Sequence, residues 1–351
     1  IAGWYSIWLS EDAMMKSSFS QLESMREVKK NQIQDFFAER KHNMQTLTDT
    51  VENIKQNAFA KLSSVQQLKS KEVKDYFNEV KKDTKLLSET EVVKQAYNAF
   101  KGYRDRMGFG ANQDYNVNTS QYKDIWDQYK KSLGKYVKDL GYKDVFLLCK
   151  QHGHVMYTYA RKDDIGANLG SGDYQDEGLA KLWKKVVEKD QVIIQDYSHY
   201  GPSGEQAAFV GAPVRNSAGK TVAVAALQIP KDEINHIVHQ RQGLGKTGET
   251  YLAAEQNDRI RFRSDLQTMG GGDFVVGYDF TDNAPEYLSQ TLEGKEVRDI
   301  YTDRTGQPII AAGNLINLGN GVKWAMVTQQ SLEEALTSTS KSEQGNYFSQ
   351  Y

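Results

Sequence analysis

From Asp12 to Phe100 the chain contains neither proline nor glycine, and within that stretch it repeats itself. Phe19, Leu22, Lys29, Asp35, Phe37, Glu39, Lys41, Leu47 and Thr50 return 40 positions later as Phe59, Leu62, Lys69, Asp75, Phe77, Glu79, Lys81, Leu87 and Thr90. Proline breaks a helix interior and glycine weakens it, so their joint absence over so long a run predicts helix. A 40-residue period is about 11 turns at 3.6 residues per turn, which returns both copies to one face of a continuous helix. Apolar residues at Met44, Leu47, Val51, Ile54, Ala58, Leu62 and Val65 keep the 3- and 4-residue steps of such a face. The expectation is one very long rod, or two helices meeting near 56–59, acting as a stalk that dimerises or braces another domain.

A second repetition follows in a different period. Residues 146–157 are echoed 105 positions on by 251–262. The first copy reads as a hairpin around Gly153, because two β-prone runs flank a glycine turn. A short helix at 179–187 comes next, then strands at 192–197, 206–212 and 220–229, the last two joined by a tight turn at 216–219. Strand, strand, helix, then three antiparallel strands is the order of a PAS-like sensory module. Residues 230–238 form a connecting helix. A smaller second copy opens with 250–254 and 259–263 and closes with 308–313 and 322–328.

Length and charge exclude some classes. The chain has 351 residues, enough for two or three domains, and its formal net charge of −2 gives no basic bias towards nucleic acid. Cys149 is alone, which excludes an internal disulfide or a multi-cysteine zinc site. No run reaches the roughly 18 apolar residues of a membrane span. The aromatic start, residues 1–9, reads equally as the outer end of a membrane helix or as an ordinary terminus.

Several segments resemble the double Cache extracytoplasmic sensors of bacterial and archaeal chemoreceptors and sensor kinases. Residues 25–40 look like that family's opening helix, 141–148 like its first sheet strand, 207–214 with 225–229 like the last strands of its distal module, and 243–252 like the entry to its proximal module. The turn at 150–154 departs from the family's acidic Asp-Gly type. The resemblance implies an α+β protein with a long N-terminal helical stalk and two tandem PAS-like (Cache) modules built on antiparallel sheets. It places a helical region at 1–105, a membrane-distal ligand-binding module at 106–235, a membrane-proximal module at 236–335, and a tail at 336–351 leading towards the membrane or another module. It also implies the periplasmic or extracellular part of a membrane receptor, most simply a methyl-accepting chemotaxis receptor. A histidine kinase or cyclase sensor, or a non-binding structural module, are the alternatives. The expected partners are a small ligand (amino acid, amine or small carboxylate) and a second copy through the N-terminal helix. No cofactor, metal, nucleic acid or catalysis is expected.

The Gly243–Thr247 run lacks the first glycine of a phosphate loop, because Gln240 stands there. No Gly-x-Ser-x-Gly turn offers a hydrolase nucleophile. His236 with His239, and His152 with His154, read as surface histidines, since zinc needs three or four converging ligands. The candidate ligand site is Tyr157, Tyr159, Arg161, Asp164, Tyr174, Asp196, Tyr200, Phe209 and Gln228. Aromatic rings with one or two carboxylates suit an ammonium through cation–π attraction and charge-assisted hydrogen bonds, while Arg161 could pair with a ligand carboxylate.

Overall fold

The computed structural model describes residues 2–267, 273–303 and 305–337, with side chains from Ser10 onward. The aromatic start and most of the expected tail, 338–351, lie outside these described side chains. Two compact units meet at Ala58 and Phe59 in the sequence. Helix α1 spans Ala2–Glu89, as the proline- and glycine-free run predicts. In residues 14–51 its apolar positions, among them Phe19, Leu22, Phe37 and Leu47, are exposed. From Phe59 on, five of the nine repeated positions are buried, Phe59, Leu62, Lys69, Phe77 and Leu87, while Asp75 and Glu79 stay exposed.

Thr90 ends α1 and caps the next helix, α2 (Glu91–Met107), by accepting a hydrogen bond from the Val93 N–H at 3.3 Å. Thr119 caps α3 (Ser120–Leu133) in the same way, and a single turn, α4 (Lys135–Lys138), follows. The first sheet then forms from β1 (Asp144–Cys149), β2 (Val155–Thr158), β3 (Ile193–Tyr200), β4 (Glu205–Arg215) and β5 (Thr221–Ile229), with α5 (Gly178–Lys189) between β2 and β3. Helix α6 (Lys231–His239) leads to the second sheet. This contains β6 (Glu249–Gln256), β7 (Arg259–Phe262), β8 (Val297–Thr302), β9 (Pro308–Gly319) and β10 (Val322–Ser331), with α7 (Glu286–Leu292) before β8.

Both sheets are antiparallel throughout and share one order, β2-β1-β5-β4-β3 and β7-β6-β10-β9-β8. The 105-residue offset holds at the level of elements, since β1 begins at Asp144 and β6 at Glu249. The chain is therefore α+β, a long helix followed by two antiparallel five-stranded sheets. β8 carries no signal in the sequence. It is an edge strand whose Arg298, Asp299 and Ile300 face water, so the apolar alternation that marks a strand is missing.

The period-2 alternation of each strand divides the interior into three cores. One face of each sheet joins the later part of α1, with α2 and α3, in a continuous core that includes Phe77, Phe100, Trp126, Leu147, Leu227 and Trp324. The opposite face of the first sheet packs on α5 through Phe146, Leu179, Leu182, Val186 and Phe209. The opposite face of the second sheet packs on α7 and on Leu266, Phe274 and Phe280. Each fully buried apolar side chain contributes about 1.5–3 kcal/mol relative to exposure. Two lysines of α1 find carbonyl acceptors: buried Lys69 donates through Nζ to the Val238 carbonyl at 2.7 Å, and half-buried Lys81 to the Leu318 carbonyl at 2.7 Å.

Candidate functional site

The α5 side of the first sheet collects buried polar groups that an apolar core would not hold by itself. Asp164, in the loop between β2 and α5, is only 1% exposed. Its Oδ2 accepts the Tyr200 hydroxyl at 2.5 Å, while Oδ1 accepts no hydrogen bond from any other described residue. Tyr200 comes from the end of β3, and its ring meets Phe209 of β4 edge-on at 5.0 Å. Phe209 in turn meets Phe146 of β1 at 6.0 Å. Half-buried Tyr174 packs on this same core. Ser198, two residues before Tyr200 on β3, has a buried hydroxyl without a hydrogen-bond partner. Gly178, the first residue of α5, allows the close approach here: a Cβ would sit 2.9 Å from Ser198 Oγ and 3.3 Å from the Phe209 ring.

A second carboxylate lies alongside. Asp144 opens β1 and is buried. Its Oδ1 accepts from the backbone N–H groups of Val145 (2.7 Å), Tyr159 (2.9 Å) and Ala160 (3.0 Å), and Oδ2 takes the Thr158 hydroxyl. Gln228, also buried, stands opposite Asp144 across the β1–β5 ladder and opposite Phe209 across β4–β5. Burial pushes the Asp144 carboxyl up to about 6, against the pull of these hydrogen bonds, and the charge of Asp164 adds to the rise. Burial also raises Asp164, with the Tyr200 hydrogen bond opposing it. Among the described residues neither carboxylate forms an ion pair. A low-dielectric site holding two such groups attracts a cation, and a ligand ammonium could donate to Oδ1 of Asp164.

The structure divides the nine expected site residues. Asp164, Tyr174, Tyr200, Phe209 and Gln228 converge on the α5 side. Tyr157, Tyr159 and Arg161 belong to the helical side instead. The Tyr157 ring stacks on Trp126 at 6.0 Å and meets Phe100 at 6.2 Å. Tyr159 packs on that core too, and the Arg161 guanidinium lies over Trp126 at 4.7 Å. The cause is a bulge: Leu147 pairs with Tyr157 but Leu148 pairs with Val155, so Met156 is extra and the alternation shifts. Asp196 is also elsewhere. Its carboxylate grips Arg263, just past β7, through Nε at 2.9 and 3.0 Å and Nη2 at 2.8 Å, and accepts the Trp324 indole N–H at 3.0 Å. It joins the two sheets and does not face Asp164.

Asp144, Thr158 and Ser198 carry almost no site signal in the sequence. The one signal was a carboxylate placed directly before the apolar run Val145–Leu148, which is costly to bury unless something needs it. The Gly243–Thr247 loop does bind an anion, one of the chain's own. Glu334 accepts the N–H groups of Lys246 at 2.6 Å and Thr247 at 2.7 Å. Partial burial would raise this carboxyl, but those donors and the Thr247 hydroxyl hold it down at about 2. An open cleft of about 390 Å³ beside Lys85, Lys94, Asp190 and Arg215 is a weaker candidate, because Arg215 and Asp190 already pair at 2.7 Å. Of the histidines, His236 is exposed and His239 bonds the Asp265 carbonyl at 2.7 Å. His154, expected on the surface, is fully buried.

Among the described residues no helix is long and apolar enough to cross a membrane. No protein-family model matches the chain, and no curated protein matches it. Solved structures do. The periplasmic sensory domain of the Campylobacter jejuni chemoreceptor Tlp1 superimposes with a TM-score of 0.49 at 13% identity, over 80% of this chain and 98% of its own. The ligand-binding domain of the Pseudomonas fluorescens chemoreceptor CtaA, solved with L-isoleucine, gives 0.49 at 11% identity over 82% and 98%. An extracellular ligand-binding receptor from Desulfohalobium retbaense gives 0.46 at 10% identity over 76% of this chain and 39% of its own, so this chain spans well under half of that receptor's length. At such identities ligand and activity are read from the chain's own side chains.

Proposed function

We propose that this chain is the extracytoplasmic, non-enzymatic sensor region of a transmembrane signalling receptor of the double Cache type, most simply a chemotaxis receptor. In this reading residues 106–235 form the membrane-distal module and bind a small metabolite bearing an ammonium group, an amino acid or an amine. Residues 236–335 form the proximal module. The twice-used strand order supports the two-module part. The single observation that carries the ligand is the fully buried Asp164 carboxylate, with one oxygen held by Tyr200 and the other accepting from no other described residue, near a second carboxylate. Strand β3 carries Tyr200 at one point and Asp196, the partner of Arg263, at another, so ligand-linked movement of β3 reaches the second sheet. A ligand shifts such an equilibrium only by its difference in affinity for the two states. The exposed apolar stripe Phe19, Leu22, Met25, Ile33, Phe36 and Met44 supports pairing with a second copy along the helix.

The test is a thermal-shift screen of amino acids, amines, carboxylates and purines, followed by calorimetry. A ligand at a hundredfold excess over its Kd adds about 2.7 kcal/mol to stability. Asp164→Asn should abolish the response to an ammonium ligand while the protein stays folded. Binding that survives Asp164→Asn, or that ignores the amino group, would refute the assignment.

A further inference from the structure

We infer that Cys149, His152 and His154 form a binding site for one late transition-metal ion of the zinc type. The three lie in a Cys-x-x-His-x-His run around the β1–β2 turn, and Gly153, with φ of 75°, lets that turn close. The turn is fixed by the Gly153 N–H on the Cys149 carbonyl at 3.1 Å and the Cys149 N–H on the His154 carbonyl at 3.0 Å. As a result the Cys149 sulfur, one nitrogen of His152 and one of His154 fall within 4.8 Å of one another.

Their surroundings orient them for ligation. His154 is fully buried, and its Nε2 is 2.7 Å from the Gln113 carbonyl, which can only accept. Nε2 therefore carries the proton and Nδ1 offers its lone pair, 3.4 Å from Cys149 Sγ. A carbonyl holding the far nitrogen of a histidine is the usual support behind a metal ligand. Asn168 Nδ2 lies 3.3 Å from the same Nε2 but donates to the Ala111 carbonyl at 2.7 Å. The Tyr115 ring backs His154 at 5.0 Å. His152 Nδ1 is buried with no hydrogen-bond partner. Zinc–sulfur and zinc–nitrogen distances of about 2.3 and 2.0–2.1 Å place tetrahedral sulfur and nitrogen ligands about 3.5 Å apart. The Cys149–His154 pair already has that spacing, and a small rotation of His152 completes the set. One thiolate with two imidazoles selects zinc-like ions over calcium or magnesium, which take oxygen. A cavity of about 410 Å³ reaches Cys149, but Lys101, Arg104 and Lys150 line it and repel a dication. Entry is past His152, the partly exposed member. Binding forms one metal–sulfur and two metal–nitrogen bonds and releases the thiol proton of Cys149 to solvent.

The experiment is a Co²⁺ titration of the whole chain, stripped with chelator and kept reduced. The expected result is a near-ultraviolet sulfur-to-cobalt band with tetrahedral visible bands, saturating at one equivalent and bleached by Zn²⁺. His152→Ala, at the half-buried turn position, and Cys149→Ser should each weaken binding roughly a hundredfold or more. Circular dichroism is the check that each variant is folded. A wild-type chain without the sulfur-to-cobalt band, or a folded His152→Ala that keeps full affinity, overturns the assignment.

Discussion

Asp196→Ala should cost the folded chain about 4 kcal/mol, because it leaves the Arg263 guanidinium buried without its counter-charge. Arg263 is 1% exposed, and three of its contacts go to the Asp196 carboxylate. After the substitution only Nη1 keeps partners, the Arg261 carbonyl at 3.2 Å and the Phe262 carbonyl at 3.4 Å, while the Trp324 N–H loses its acceptor. Breaking a buried ion pair from one side costs about 3–5 kcal/mol, whereas replacing both partners with apolar groups is often neutral or stabilising. At roughly 2–4 °C per kcal/mol for a chain of this size, the melting temperature should fall by roughly 10 °C. The assay is urea unfolding followed by Trp fluorescence and far-ultraviolet circular dichroism, whose transitions must coincide for the free energies to be read. The double variant Asp196→Leu with Arg263→Met should recover most of the loss, remaining within about 2 kcal/mol of the parent because the Trp324 N–H is still unpaired. A loss under about 1 kcal/mol for Asp196→Ala, or a double variant no more stable than the single, would refute the reasoning.

Asp144 gives a pH signature. Its folded carboxyl, at about 6, lies above the unfolded value of about 3.9, so its contribution to stability is fully present below about pH 4 and is lost as pH rises through 6. Asp144→Asn should therefore gain on the parent by about 2 kcal/mol between pH 4 and pH 7; parallel urea melts showing a constant difference would contradict this. The helical repeat supplies a matched pair. Phe77→Ala removes a ring that is 0% exposed and 5.1 Å from Trp324, and should cost about 3–5 kcal/mol. Phe37→Ala, at the equivalent position but 65% exposed, should stay within about 0.5 kcal/mol at concentrations too low for association. Gly178→Ala should destabilise by about 1–3 kcal/mol despite alanine's better helix propensity, because its Cβ would press on Ser198 and Phe209; a more stable variant in the same melts would show that α5 can shift.

Patterns of composition and period are local, and they alone determined the long helix, the hairpin at 146–157 and its echo at 251–262. They also placed the carboxylate and aromatic residues Asp164, Tyr174, Tyr200 and Phe209 together. A period of two says which side chains share a face, but not which face, and one bulged residue, Met156, moved Tyr157 away from that group. Asp196 was recognisable as a carboxylate ending an apolar strand, yet its partner lies 67 residues away in the other sheet, beyond any local signal. The buried Cys149–His154 contact hid in the same way, since isolated histidines beside a turn look like surface residues until the loop carrying Gln113 covers them. The two copies of the helical repeat draw the line most sharply. Identical residues at Phe37 and Phe77 have the same propensity and the same place in the helical period, so the sequence makes both helical. Only the sheets packed against Phe77 decide that one ring is core and the other meets water, because burial is a property of what surrounds a side chain and not of the side chain itself.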